Sequence, residues 1–287
     1  MALGNFDGVH KGHQRLFELA GEKGHKRAVW TFTTLAKPGV AVPYLTDMQA
    51  KLDLFCRYGL DYAVFEEFED VRDTEYNDFV AKYLVPTFKP SRVVCGFNFR
   101  FGRRGAGDAQ ALCALLAERG VECEIMSPVF FESKAVSSSA VRDAVLMGEM
   151  EQAMALLGHP FALKFPVVEG KKLGRQMGMP TINQDFPAGH IIPRHGVYAC
   201  TVTVDSEVYL AVSNVGTRPT VSGGASHVNC ETHIIDYEGD LYYKEIKVEF
   251  YGFLRDEIRF DSIDELTAQI NKDAICAKEY FACNSRR

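Results

Sequence analysis

The pattern of apolar and polar residues differs between the two halves of this chain. Over residues 1–158, short apolar runs of strand length are separated by segments in which apolar residues recur every three to four positions. The predicted strands are 26–33, 62–65, 92–96 and 122–126, and the predicted helices are 11–23, 47–58, 74–84 and 108–119. This alternation predicts an α/β domain with a parallel sheet, which binds ligands at the carboxyl ends of its strands.

After a short helix that ends at Leu157-Gly158, the periodicity of apolar residues changes to that of β structure. The predicted domains are therefore 1–158 and 159–287. The predicted strands of the second half include 197–204, 208–213, 227–235 and 245–250, the first two flanking a hairpin turn at Asp205-Ser206-Glu207. Several antiparallel strands in so short a stretch predict a small closed β-barrel. The segment 262–281 predicts a closing helix whose buried side carries Ile263, Leu266, Ile270 and Ile275.

Composition limits the function classes. The chain has 287 residues, of which 47% are hydrophobic and 24% charged, as expected for a soluble globular protein of two domains. A net charge of −6 argues against a general nucleic-acid binder, which needs a basic face. Neither a signal peptide nor an apolar run long enough to span a membrane is evident. We therefore expect a cytoplasmic protein without nucleic-acid or membrane partners, either monomeric or weakly oligomeric.

The eight cysteines form no C-x-x-C pair, and most of them lie in apolar runs. They are Cys56, Cys95, Cys113, Cys123, Cys200, Cys230, Cys276 and Cys283. This distribution predicts reduced, packed thiols rather than disulfides or a zinc site.

A glycine-rich stretch, Gly170-Lys-Lys-Leu-Gly-Arg-Gln-Met-Gly-Met-Pro-Thr-Ile-Asn183, combines features of a nucleotide site. Its glycines, Gly170, Gly174 and Gly178, let a backbone approach phosphate closely, and Arg175 adds positive charge. Thr181 and Asn183 offer the hard oxygen donors that suit Mg²⁺ in contact with nucleotide phosphates. The alternative is a glycine-rich β-loop with a surface turn.

A second candidate site lies near the N-terminus, where His10 and His13 open a predicted helix. Helix N-terminal amides and two imidazoles form a cradle for an anion. Gly8 relieves the backbone strain of the turn, and the absence of a side chain at Gly12 lets phosphate come close. Alternatively, the two histidines are solvated or cap the helix; as a zinc site the pair lacks a third ligand.

Two further segments fit an anion or nucleotide site in the first domain. Ser137 and Ser138 cap a predicted helix that carries Arg142 one turn inside, so this N-terminus also suits phosphate oxygens. Asn98 lies in Gly96-Phe-Asn-Phe-Arg-Phe-Gly102, after an apolar strand, and its phenylalanines either pack in the core or stack on a ligand.

Together these motifs resemble the bacterial bifunctional riboflavin kinase/FAD synthetases over nearly the whole chain. The kinase signature is matched by the Gly170–Asn183 stretch, and the nucleotidyltransferase signature by Gly4-Asn-Phe-Asp-Gly-Val-His-Lys-Gly-His13. The resemblance implies a Rossmann-like nucleotidyltransferase domain followed by a kinase barrel, with ATP, riboflavin and FMN as substrates and Mg²⁺ on Thr181 and Asn183.

The resemblance also assigns roles to single residues. Glu231, in Glu231-Thr-His233, accepts the proton of the ribityl 5′-hydroxyl; its alternative is a rim salt bridge, for example with Arg218. His10, His13 and Arg142 serve the adenylyl transfer. Arg255 lies on the flavin side, or forms a solvated ion pair with Asp256 or Glu257.

The sequence departs from the family pattern in four places, and the first two of these keep other hypotheses open. Leu35 stands where a histidine is usual, and only Met1-Ala-Leu precedes the first motif, through truncation or a shorter sheet edge. Lys164-Phe-Pro166 replaces Ser-Gly-x, so that a strand is expected to begin or bulge at the proline, and Tyr243 replaces a glycine. The alternatives to a bifunctional enzyme are a riboflavin kinase alone and a flavin-responsive binding protein.

Overall fold

A computed structural model describes most of the chain, in the ranges 1–24, 26–33, 42–170, 179–218 and 227–284. It divides into two compact units, Met1–Ser138 and Ser139–Arg287. This structural division lies between Ser138 and Ser139, so the helices just before residue 158 are part of the second unit. The functional boundary at 158/159 remains a prediction.

The first unit alternates strands and helices in the predicted order. Its strands are β1 (Ala2–Leu3), β2 (Ala28–Phe32), β3 (Tyr62–Glu66), β4 (Arg92–Gly96), β5 (Arg100–Phe101), β6 (Gly107–Asp108), β7 (Glu122–Met126), β8 (Phe130–Phe131) and β9 (Lys134–Ala135). Its helices are α1 (Lys11–Ala20), α2 (Met48–Arg57), α3 (Phe68–Val71), α4 (Tyr76–Asp78), α5 (Val85–Phe88) and α6 (Ala109–Ala117), with a π-helical stretch at Phe79–Leu84.

Five of these strands form a parallel sheet in the order β3-β2-β1-β4-β7. The strand β1 has two residues but lies at the centre, so the alternative of a shorter sheet edge was wrong. The chain goes to one side of β1 for β2 and β3 and to the other for β4 and β7. This change of direction creates the crevice at which α/β sheets bind ligands.

Alternate residues of the central strands enter two different cores. Leu3, Trp30 and Cys95 belong to one buried cluster, whereas Ala2 and Val29 belong to the other. Because successive side chains of a strand point to opposite faces, two clusters require helices on both faces of the sheet. The predicted parallel sheet is confirmed, and both of its faces are covered.

In its described residues, the second unit contains antiparallel strands and three helices. Its elements are α7 (Ser138–Met147, beginning at the last residue of the first unit), α8 (Met150–Leu157), β10 (Phe161–Pro166), β11 (Thr181–Asp185), β12 (Gly196–Val204), β13 (Glu207–Arg218), β14 (His227–Ile234), β15 (Glu245–Arg255) and α9 (Ile263–Asn284). The strand order is β10-β15-β12-β13-β14-β11, and a bridge between Val168 and Asn183 links the two ends of the sheet. The predicted small barrel with a C-terminal helix is confirmed.

Local chemistry explains two of the boundaries in this unit. The β12–β13 hairpin turns at Asp205 (φ 47°) and Ser206 (φ 73°), the pair of left-handed residues that a tight hairpin needs. Pro166 pairs with Glu245 as the last residue of β10, so the expectation that a strand begins or bulges there was wrong. A proline is tolerated at this end because the missing N–H is not needed to continue the ladder.

The buried side of α9 differs from the predicted one. Ile263 and Ile275 are both 57% exposed, whereas Asp273 and Ala277 are buried. Asp273 is buried because it forms an ion pair with Arg255 on β15, with 2.6 Å between Nη2 and Oδ2. Periodicity alone assigned the isoleucines to the core because it contains no information on this pairing.

The prediction that every cysteine is a reduced thiol was wrong for two of them. Cys113 on α6 and Cys123 on β7 form a disulfide, with their Cα atoms 5.1 Å apart. Packing of the helix against the adjacent strand brings them together, which spacing along the chain does not reveal. Cys95, Cys200 and Cys230 are buried free thiols, as expected.

Candidate functional site

The first histidine motif begins helix α1, which follows the central strand β1. His10 is the N-cap residue, and its Nδ1 accepts a hydrogen bond from the backbone N–H of His13 at 3.3 Å. This cap satisfies one of the amides that a helix start leaves without a partner. A Cβ on Gly12 would lie 3.1 Å from the His10 ring, so glycine makes room for the imidazole. The capping alternative is therefore realised, on a helix that starts at the predicted ligand edge.

The two imidazoles stack with 3.6 Å between their centroids, and Phe6 lies edge-on to His13. Burial lowers the pKa of His13 well below its ordinary range, and the nearby His10 and Lys51 lower it further. His13 is thus neutral at pH 7 and has one donor and one acceptor nitrogen. Its Nδ1 is buried and has no hydrogen-bond partner among the described residues. A buried polar atom in this state is suited to meet a ligand.

The loop between β1 and α1 is held in place by a buried carboxylate. Asp7 Oδ1 accepts hydrogen bonds from the N–H groups of Leu45 (2.9 Å) and Thr46 (3.1 Å) and from the Thr46 hydroxyl (3.2 Å). Gly8, with φ 78°, donates its N–H to the Thr46 hydroxyl at 2.9 Å. Ser138 Oγ donates to the carbonyl oxygen of Asp7 at 2.9 Å, so two separate sequence motifs meet here.

Lys51 is a site residue that the sequence reasoning missed. It is only 2% exposed, and its Nζ donates to the carbonyl oxygen of Phe32 at 3.3 Å, where β2 ends. Burial lowers its pKa, although Asp7 and Asp47 act in the opposite direction. The available signal was its position four residues before Phe55, on the apolar face of α2.

The loop after β4 lies at the same edge of the sheet. Asn98 is exposed there, close to Gly96, whose added Cβ would lie 3.3 Å from Asn98 Oδ1. Phe101 is buried in the core and Phe99 stacks on it, whereas Phe97 is 52% exposed. Packing thus accounts for two of the three phenylalanines.

The other residues predicted for adenylyl transfer divide between the units. Ser137 is partly buried directly before α7, and Arg142 is buried one turn inside that helix, in the second unit. Leu35 lies outside the described residues, as do Gly174, Arg175 and Gly178 of the kinase loop. Arg218 ends β13, opposite His227, and its side chain is likewise outside the description.

The residues predicted for the kinase reaction lie in a row across three strands. In the antiparallel register, Glu231 on β14 lies opposite Asn183 on β11 and opposite Asn214 on β13. Directly opposed residues place their side chains on the same face of a sheet, as do residues two apart along one strand. Thr181 therefore belongs to this face as well, and its Oγ1 donates to Glu231 Oε1 at 2.7 Å.

Glu231 is exposed, although it lies in a strand with several buried residues. The apolar residues of β14 face the barrel interior: Cys230 and Ile234 are buried, as is Thr232 between them. Glu231 points to the opposite face, as strand geometry requires for alternate residues. An exposed carboxylate beside a hydroxyl is accessible to a substrate.

The row adjoins an open pocket whose lining includes Gly170, Thr181, Asn183, Leu241 and Tyr242. The hydroxyl, the carboxamide and the neighbouring carboxylate are all hard oxygen donors. No cluster of three or more His, Cys, Asp or Glu side chains with metal-site geometry occurs among the described residues. The donor set here instead fits Mg²⁺, which binds through few protein oxygens together with phosphate and water.

Tyr243, next to this pocket, has a left-handed backbone conformation that favours glycine, the residue usual here in the family pattern. Its φ of 65° lies in the left-handed region, which side chains other than glycine adopt rarely. Its hydroxyl donates to Glu169 Oε1 at 3.0 Å, immediately before Gly170. The substitution therefore keeps the turn and adds a contact to the start of the glycine loop.

Arg255 is tied to helix α9. Its guanidinium makes two hydrogen bonds to the Asp273 carboxylate, at 2.9 and 2.6 Å, and a third to the carbonyl oxygen of Asp256 at 2.8 Å. The expected alternative of a solvated ion pair with Asp256 or Glu257 was wrong, since the partner is a buried carboxylate. A flavin-side role for Arg255 remains a prediction.

Comparisons with known proteins agree with the two-part organisation. Residues 157–281 match the family model of riboflavin kinase, and residues 1–140 match that of FAD synthetase. The chain is 33% identical over 296 residues to the bifunctional riboflavin kinase/FMN adenylyltransferase of Listeria monocytogenes, covering 98% of this chain and 92% of that protein. It is 35% identical over 291 residues to the Escherichia coli K12 protein of the same description, with the same coverage.

A solved structure is similar over nearly the whole fold. It is a crystal structure described as a macrolide-efflux protein from Streptococcus pneumoniae, 28% identical, with a TM-score of 0.85 and coverage of 96% of this chain and 93% of that one. Within the described ranges of the present chain, no helix has both the length and the apolarity to cross a membrane.

The depressed pKa of His13 makes a prediction for stability. Below pH 6.5 the unfolded histidine binds a proton that the folded one does not, so acidification favours unfolding by at most about 1.4 kcal/mol per pH unit. This destabilisation is absent well above pH 6.5, where both states are neutral, and it increases as the pH falls below 6.5. His13→Gln should make the urea-unfolding free energy of the first unit less dependent on pH between 7 and 5.5.

The control is His195→Gln, which removes an exposed histidine from the second unit and should leave that slope unchanged. An identical slope in His13→Gln and wild type would show that His13 titrates normally in the folded protein.

Proposed function

The chain belongs to the family of bifunctional riboflavin kinases/FMN adenylyltransferases, and from this premise we propose which residues carry each reaction. The second unit phosphorylates riboflavin with ATP, giving FMN and ADP. The first unit transfers the adenylyl group of a second ATP to FMN, giving FAD and pyrophosphate. The observation that carries the proposal is the row of Thr181, Asn183 and Glu231 on one face of the barrel.

In the kinase reaction, Glu231 is the proposed general base. Its exposed carboxylate accepts the proton of the ribityl 5′-hydroxyl as that oxygen attacks the γ-phosphate of ATP in line. The hydrogen bond from Thr181 fixes one carboxylate oxygen and leaves the other for the substrate. Phosphoryl transfer depends mainly on positioning and charge stabilisation, and a row built on paired strands supplies the positioning.

The proposed metal of this site is Mg²⁺, held by the Thr181 hydroxyl and the Asn183 carboxamide oxygen. When bound, it neutralises the charge that develops on the phosphates. Gly170 and the glycine loop that follows it are the proposed phosphate-facing backbone, and Arg255 is the proposed flavin-side cation.

The adenylylation site works without a strong general base. The phosphate of FMN has a second pKa of about 6 and is therefore largely dianionic at pH 7. The proposed task of His10, His13 and the start of α1 is to orient the phosphates and stabilise the departing pyrophosphate. Arg142, Asn98 and the serines at 137 and 138 are further proposed contacts.

The cellular setting is also a proposal. Acidic net charge supports small-molecule substrates rather than nucleic acid, and a cytoplasmic location fits the use of ATP. The Cys113–Cys123 disulfide argues against that location, since disulfides are rare in the cytosol.

The kinase assignment predicts the effect of Glu231→Gln. Loss of the proton acceptor should lower the rate of FMN formation about 10²- to 10⁴-fold and leave the conversion of added FMN to FAD unchanged. The assay incubates the protein with riboflavin, ATP and Mg²⁺ and separates FMN from FAD. Glu207→Gln, at the exposed β12–β13 turn, is the control. Loss of both reactions in a folded variant would contradict the division of labour.

The adenylylation assignment predicts the reciprocal behaviour for His13→Ala. FAD formation from FMN should fall by about 10² or more, because a preorganised donor to the phosphates is removed, while riboflavin phosphorylation continues. FMN then accumulates in the coupled assay. A wild-type protein that stops at FMN would instead indicate a riboflavin kinase alone.

A further inference from the structure

Asn229, for which neither motif provides a role, is hydrogen-bonded directly to a proposed metal ligand. It lies two residues before Glu231 on β14 and is 7% exposed. Its Nδ2 donates to Asn183 Oδ1 at 2.9 Å in a buried hydrogen bond. Asn229 is opposite Asp185 in the β11–β14 register, so it reaches Asn183 diagonally across the pair.

The other end of the same carboxamide is confined by Gly170. A Cβ on Gly170 would lie 2.5 Å from Asn183 Nδ2, which shows that the amide nitrogen is packed against this backbone. The main chain of Asn183 is fixed too, because its carbonyl oxygen accepts a hydrogen bond from the Val168 N–H at 2.8 Å. The Asn183 side chain is thus held at the nitrogen by Gly170 and at the oxygen by Asn229.

The orientation of this amide decides whether it can bind a cation. A carboxamide oxygen has two lone pairs, and the hydrogen bond from Asn229 uses one of them. The second lone pair remains for a metal. If the amide turned over, its NH₂ group would take the place of the oxygen and present two donors that repel a cation.

We propose that Asn229 is a positioning residue of the kinase site, which holds the Asn183 carboxamide with its oxygen available to Mg²⁺. Asn229 acts through Asn183 and does not contact the metal itself. Hydrogen bonds of this kind to metal ligands typically change metal affinity or activity 10- to 100-fold when removed. This inference rests on the proposed kinase function.

The test is Asn229→Asp, which has nearly the same shape but replaces the donor NH₂ by a carboxylate oxygen. Asn183 then satisfies this carboxylate by turning its NH₂ toward it, so its oxygen leaves the metal side. The Mg²⁺ concentration for half-maximal FMN formation should rise about tenfold or more, with FMN-to-FAD conversion unchanged. Asn271→Asp, the same change at an exposed position of α9, is the matched control and should behave as wild type.

A binding measurement separates positioning from a general loss of activity. Mn²⁺, titrated into the protein with ADP and followed by electron paramagnetic resonance, should lose the same tight site in Asn229→Asp as in Asn183→Ala. If Asn229 acts only through Asn183, adding Asn229→Asp to Asn183→Ala should have no further effect. Asn229→Ala, which only deletes the donor, should also raise the Mg²⁺ requirement. It replaces Asn229→Asp in the test if the aspartate variant does not fold.

Two results would overturn the inference. One is a folded Asn229 variant with the wild-type Mg²⁺ requirement and Mn²⁺ site; the other is a full additive loss in the Asn183→Ala background. In both cases the wild-type protein still makes FMN, so the kinase function itself stands. A wild-type protein that makes no FMN would instead refute the proposed function.

Discussion

The pairing of β11 with β14 is the constraint on which the kinase site depends. Backbone hydrogen bonds fix which residues are opposite one another, and only this register brings Thr181, Asn183 and Glu231 to one face. A slip by one residue would turn every side chain of a strand to the other face. The register is secured by the interior side, where Ile182 and Cys230 are buried. The strand register that buries the barrel core therefore also aligns the residues of the proposed site.

The two sites differ in the electrostatics that their folds supply. The barrel presents oxygen donors along the wall of a pocket, which suit a cation that accompanies phosphate. The parallel sheet presents a helix start, a neutral His13 and the buried ammonium of Lys51, which suit phosphate directly. Buried Asp7 holds the loop that carries these groups. In the proposed scheme, the chain therefore binds ATP in two ways, through metal ligands in one unit and through hydrogen-bond donors in the other.

Sequence patterns predicted those features that depend on neighbours along the chain. The strands at 92–96 and 122–126 have the predicted bounds, and the hairpin turn at Asp205-Ser206 lies where its residue types favour it. Residue chemistry within short motifs and the family resemblance, rather than periodicity, supplied the candidate site residues. Two residues of β1 are too few to show any period, so its central place was not evident.

The missed features all depend on partners distant in sequence. Asp273 is buried because Arg255 approaches it from another element, and Cys113 meets Cys123 through helix-on-strand packing. Lys51 and Asn229 belong to no motif, and their importance follows only from the side chains that surround them. Predicting such contacts requires the register and packing of whole elements, which a single strand or helix pattern does not contain.

The most direct test of the account is a crystal structure of the protein with ADP, Mg²⁺ and riboflavin. We expect the metal about 2.0–2.1 Å from Thr181 Oγ1 and Asn183 Oδ1. We also expect the ribityl 5′-oxygen within hydrogen-bonding distance of the Glu231 carboxylate. A metal bound away from β11, or a flavin hydroxyl remote from Glu231, would contradict the claim that the β11–β14 register builds the kinase site.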